Sequence, residues 1–154
     1  MYGRIYTINF SAVSVAAAQD LISVQPASNK VVVLHKAVVS ADDSETNQQL
    51  KTTIKKLTAT LTVTGGTSQT PAPTATSNAA AGMTAKSNHT TRTTTSGATV
   101  VINAESFPSQ GGFEYLPDIN VRPIFVNGEG FVFGLEEAPA TLTMSGYVVV
   151  EEIG

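Results

Sequence analysis

The sequence contains no cysteine and no tryptophan. The first absence excludes disulfides, thiolate metal sites and cysteine catalysis, and it removes redox as a guide to compartment. The second takes away the largest aromatic platform on which a sugar could sit. Charge is scarce too: Asp, Glu, Lys and Arg make up 14% of the chain, against roughly 25% in an ordinary soluble domain. With a net charge of −3, the chain looks like neither a nucleic-acid binder nor a basic membrane-surface protein. No apolar run approaches the ~18 residues of a spanning helix. The stretch from Val13 to Ala18 stops at Gln19-Asp20. The opening MYGRIYTINF carries no leader-like apolar run, so the expected site of synthesis is a cytoplasm, with release by lysis.

What remains is a chain of 154 residues with 21 Thr and 17 Val. One domain, 1–154, is expected at this length. Thr and Val are β-branched and suit the half-buried surface of a strand. A surface dressed in Thr, Ser, Ala and Asn has few charges to keep copies apart. It fits a chain that lives in an assembly, or equally a sandwich with a Thr-rich exterior.

Period-2 alternation runs almost throughout, and no segment sustains helical spacing. Tyr2, Arg4, Tyr6, Ile8 and Phe10 form one alternating set. Asp20 to Val24 is a second strand. Lys30 to Ser40 is apolar on both faces and reads as a central strand covered on both sides. Leu50 to Thr64 alternates from Leu57 onward, with Ile54 out of phase, so a bulge near Lys55-Lys56 is expected. Residues 65–96 hold one large apolar side chain, Met83, among Thr, Ala, Ser, Gly and Pro. They read as a long loop or arm that cannot order itself and that lies on a neighbour or in solvent. Beyond it come Thr99 to Ile102, a turn from Asn103 to Gly112, then Phe113 to Leu116 and Asn120 to Val126. Asn127-Gly128 signals a hairpin. Gly130 to Glu136 and Thr141 to Glu152 close the chain. About eight strands with turns between them predict an all-β, two-sheet antiparallel sandwich of jelly-roll type.

Candidate chemistry is sparse. His35 sits in the expected central strand, and His89 lies in the polar loop with no second histidine or carboxylate near it in sequence. Asp42, Asp43 and Glu45 lack the alternating oxygen ligands and glycine of a calcium loop. Glu136-Glu137 and Glu151-Glu152 are strand neighbours that point to opposite faces. No G-x-S-x-G elbow occurs, and no glycine pair opens a helix around a phosphate. The reading is therefore no enzyme, no catalytic residue, no metal and no cofactor. Lys51, Lys55 and Lys56 form a small basic cluster. It is either a blunted strand edge or a contact for an acidic neighbour.

The order Ala18-Gln19-Asp20-Leu21-Ile22, Pro26, Lys30-Val31-Val32-Val33-Leu34 resembles small structural proteins of tailed bacteriophages. So does the later run Gly112-Phe113-Glu114-Tyr115-Leu116-Pro117, Glu137-Ala138-Pro139, and Leu142 to Gly154. The resemblance implies a jelly-roll protein that decorates or cements a capsid shell in the virion. Its partners would be the major capsid protein and its own copies, a trimer being favoured over a dimer, with no nucleic acid and no membrane. Apolar contact would dominate, because charge is too sparse. The candidate capsid or subunit contacts are Tyr2, Arg4, Tyr6 and Phe10 in the first segment, Met83 in the arm, and Lys51, Lys55 and Lys56. Aromatics with Arg are enriched where interfaces are strongest, although the first segment also reads simply as the first strand of the sandwich. A second function class stays open: a head-fibre or tail-associated module that recognises a host-surface glycan.

Overall fold

The computed structural model describes residues 3–42 and 47–154. Met1, Tyr2 and residues 43–46, among them Asp43 and Glu45, lie outside the described residues. The long strands are β1 (Arg4–Val15), β2 (Asp20–Gln25), β3 (Val31–Ala41) and β4 (Gln49–Leu57). After them come the short β5 (Leu61–Thr62), β6 (Thr67–Gln69), β7 (Ala72–Pro73), β8 (Thr84–Ser87) and β9 (Thr94–Thr95). The chain ends with β10 (Thr99–Pro108), β11 (Phe113–Tyr115), β12 (Ile124–Phe125), β13 (Gly130–Leu135) and β14 (Leu142–Ile153). A single 3-10 turn covers Ile119–Val121, and the described residues hold no α-helix.

The strands form two six-stranded antiparallel sheets and a two-stranded ribbon. The first sheet runs β11-β3-β14-β1-β7, with β12 also on β3; the second runs β10-β4-β13-β2-β8-β6; the ribbon is β5-β9. The inner faces supply the core. Tyr6, Ile8, Leu34, Val148 and Val150 come from the first sheet, and Ile22, Ile54, Phe131, Phe133 and Leu135 from the second; all are fully buried. At roughly 1.5–3 kcal/mol for each fully buried large apolar side chain, this layer is the main stabilising element. The Phe107, Phe113 and Phe133 rings form a chain with centroids 5.8 and 6.0 Å apart.

Several sequence expectations are redrawn. Strand β3 is not covered on both sides: Val32, Leu34, Ala37 and Val39 face the core, while Val31, Val33 and Val38 are half-exposed. The strands buried on both faces are β2 and β13. The expected bulge in β4 is absent, and β4 pairs β13 in unbroken register. Ile54 and Leu57 differ in phase because they serve different clusters. Ile54 faces the main core, and Leu57 joins Leu61 and Val132 in a small cluster. The register shift lies instead on β10, between Val101 and Asn103. Strand β10 also runs on to Pro108, where a turn was expected from Asn103. These weak strand formers are held by the ladder to β4 rather than by their own propensity. The Asn127-Gly128 turn, with Gly128 at φ 85°, joins β12 on the first sheet to β13 on the second, so it is a crossover and not a hairpin. The strand expected over Asn120 to Val126 shrinks to Ile124–Phe125; Pro123 just before it has no N–H to give to a ladder.

The largest difference is in residues 65–96. They form a long, mostly irregular connection held against this chain by short strands. Strand β7 pairs β1, β8 pairs β2, and β6 pairs β8. Backbone ladders order this segment, so its lack of large side chains does not leave it loose. Backbone pairing of this kind carries no hydrophobic signature for the sequence to display.

Candidate interaction surface

The two sheets give the sandwich two lateral flanks. On one, β1 and β2 would be the edge strands; β6 to β8 of the segment 58–98 extend past them, while Leu61 of the β5-β9 ribbon covers the outer face of the second sheet at Val132. Tyr6 is fully buried on β1, and its hydroxyl donates to the Ala79 carbonyl at 2.8 Å. Glu152, 5% exposed, accepts from the backbone N–H groups of Gly82 and Met83 at 3.0 and 2.9 Å. Gly130 has no Cβ, which lets the Leu61 side chain lie directly on β13.

An ionic clasp fixes the far end of the same segment. Asp20, 2% exposed, accepts from Arg92 at 3.0 Å and from the Thr93 N–H at 2.6 Å. Arg92 also donates to the Leu135 carbonyl and reaches Glu136 at 3.4 Å. Glu136 in turn meets Lys55 at 2.6 Å and accepts from the Thr53 hydroxyl. Burial pushes the Glu136 carboxyl up, but the bonds from Lys55 and Thr53, with the charge of Arg92, outweigh it and hold the group below its ordinary value. Beside the clasp lies His89, fully buried, with no well-formed hydrogen bond at either ring nitrogen. Burial lowers its pKa, and the charge of Asp20 and the Lys86 backbone oppose that shift only in part. Arg92 and His89 were not singled out together by sequence, because their partners Asp20 and Glu136 lie far away along the chain.

On the other flank the first sheet ends at β11 and β12 and the second at β10. Phe107 against Phe113 joins the two edges, and Lys56 of β4, one strand in, lies 3.3 Å from the Ile124 carbonyl and 5.9 Å from the centre of the Phe125 ring. Every exposed large hydrophobic among the described residues belongs to this flank. Val100 and Val101 are on β10; Leu116, Ile119, Val121, Ile124 and Val126 lie in and around the excursion between β11 and the start of β13, with exposures from 45 to 69%. A concentration of exposed aliphatic side chains on one flank marks a candidate contact site.

The residues named from sequence do not gather there. Tyr6 and Phe10 are core residues of this chain, since the inward face of β1 is the first strand of the sandwich, and so neither offers a side chain to a partner. Met83 is 5% exposed and packs into the same core. Arg4 and Lys51 are exposed. Lys55 is engaged with Glu136 and Lys56 with Glu129 at 2.7 Å, so these two lysines are internal ties of the chain. Tyr2 lies outside the described residues. His35 meets Glu151 at 2.9 Å on the outer face of the first sheet. Among the described residues no group of three His, Cys, Asp or Glu side chains could hold a metal ion.

A groove between the second sheet and the covering segment, lined by Ser23, Gln25, Leu61, Val63, Thr84 and Lys86, holds Lys86 as its one titratable group. No family model matches this sequence, and no curated protein or solved structure matches it either.

Proposed function

We propose that this chain is a jelly-roll structural protein that decorates or cements the capsid of a tailed bacteriophage, acting as a homo-oligomer through protein–protein contacts and without catalysis. The observation that carries the reading is the collection of exposed aliphatic side chains on one flank of a low-charge sandwich. The strand order supports the fold assignment. With the short β5 to β9 set aside, and β11 and β12 taken as one interrupted strand, the strands in chain order number one to eight. The sheets then run 1-8-3-6 and 2-7-4-5, the arrangement two Greek keys produce in a jelly roll. A glycan-binding module finds less support, because Tyr6 is buried and Tyr115 and Tyr147 are half-buried.

The excursion 116–126 is the surface offered to the shell. Purified protein added to undecorated heads is expected to bind saturably, in fixed ratio to the major shell subunit. Uptake should persist at about 0.5 M salt, where screening acts within ~4–5 Å, because apolar burial is not screened. Binding to host cells with no uptake by heads would replace this reading with glycan recognition.

A further inference from the structure

The two sheets end in edges of very different length. Strands β7 and β12 have two residues each, and β6 and β11 have three, whereas β10 has ten. A short edge offers few unpaired N–H and C=O groups; a long one is a template for another strand unless charge or proline protects it. Strand β10 reads TVVINAESFP. It has no lysine or arginine, one carboxylate at Glu105, and its proline only at the last position. Its one protective feature is the extra residue near Ile102 that shifts the register against β4. Val100 and Val101, 48 and 52% exposed, stand beside this edge, and the Asn103 Oδ1 is buried without a hydrogen-bond partner.

We propose that β10 pairs with β10 of a second copy of this chain, antiparallel about a two-fold axis, so that the second sheets of two subunits join into one. Charge selects the direction. A parallel in-register pair would set the two Glu105 carboxylates side by side, and like charges directly opposite one another destabilise a sheet. With a two-fold axis through Asn103, where each Asn103 faces its own copy, Glu105 instead faces the position of Val101. The two carboxylates are then displaced by four residues, or about 14 Å along the strand at ~3.4 Å per residue. That exceeds the screening length of ~8 Å at physiological salt. The contact is isologous, as two-fold interfaces require. It makes the building unit a dimer in place of the trimer favoured from sequence. The pairing is independent of any shell.

The test is sedimentation equilibrium of the intact protein at tens of micromolar. The expected mass is twice the chain's 16.0 kDa. The double variant Val100→Lys/Val101→Lys, at two exposed positions, should sediment as a monomer with an unchanged circular dichroism spectrum. Hydrogen exchange of the wild type should show amides of Asn103 to Ser106 becoming more protected as concentration rises. A monomeric or trimeric wild type overturns the proposal, as does a lysine variant that remains a dimer. Protection of β10 that appears only on mixing with heads would make the shell the occupant of this edge, and also overturns it.

Discussion

The two flanks of this sandwich are built from the same two sheets and finished in opposite ways. One is closed by residues 58–98, through short ladders, the Tyr6 and Glu152 hydrogen bonds and the Asp20–Arg92–Glu136–Lys55 clasp. The other is left with a ten-residue edge and seven exposed aliphatic side chains. Side-chain size alone would assign the roles the other way round. The Thr-, Ala- and Pro-rich stretch looks dispensable, and the aliphatic strands look like interior. What decides is where backbone groups find partners. The polar stretch satisfies them within the chain, and the apolar flank leaves a row of them open on β10.

The strongest way to break this contrast is to replace Gly66 to Ser96 with a short Gly-Ser turn. The account expects loss of cooperative thermal unfolding, because β1, β2 and Tyr6 lose their cover. A variant that still melts sharply, close to the parent temperature, would make the segment an accessory after all. Asp20→Ala acts on the same flank more locally. Breaking a buried ion pair costs 3–5 kcal/mol, but Arg92 is about a third exposed (32% for its side chain) and solvent screens it. About 2 kcal/mol is therefore expected from urea unfolding. Tyr6→Phe removes only the hydroxyl that bonds to Ala79 and should cost about 1 kcal/mol.

Acid sharpens the comparison further, because the titratable pressure sits on the closed flank. The fold keeps His89 neutral at pH values where the unfolded chain protonates it. Stability should thus be full above the ordinary imidazole value of 6.5 and decline as pH falls below it. Asp20 and Lys86 are the charges acting on the ring. His89→Leu should flatten the melting temperature between pH 6.5 and 5, leaving a second loss at lower pH, where Glu136 takes up its proton below the ordinary carboxylate range. The smallest effect on stability belongs to the open flank. Leu116→Ser with Ile119→Ser should change unfolding by less than about 0.5 kcal/mol, as exposed sites do. The same pair should weaken uptake by heads.

The sequence made the β class and most strand positions legible, because alternation in β14 and in β1 up to Phe10 is strict and exposes its buried face directly. Phase told less than it promised. Ile54 and Leu57 looked like one face interrupted by a bulge, because nothing local announces that a second small cluster lies under Leu61. The closing segment was illegible for a similar reason: its order comes from ladders to strands some 50 to 70 residues away, such as Tyr6 with Pro73 and Ile22 with Ser87. Aromatic residues near the start suggested a contact surface, yet the pleat turns Tyr6 and Phe10 inward. The open flank was missed because Leu116, Ile119 and Val121 resemble core residues in composition. Pro117 and Pro123 nevertheless bracket an excursion that cannot join the sheet.

The central claim is that residues 65–96 are an integral closure and β10 a free edge. Hydrogen exchange of the protein diluted to a concentration where it is monomeric tests this most directly. The account predicts slow exchange for the amides of Ala85 to Ser87, within the protection of the β2 ladder, and fast exchange for the outward amides of β10. Rapid exchange throughout 65–96, as in an unstructured arm, would contradict it.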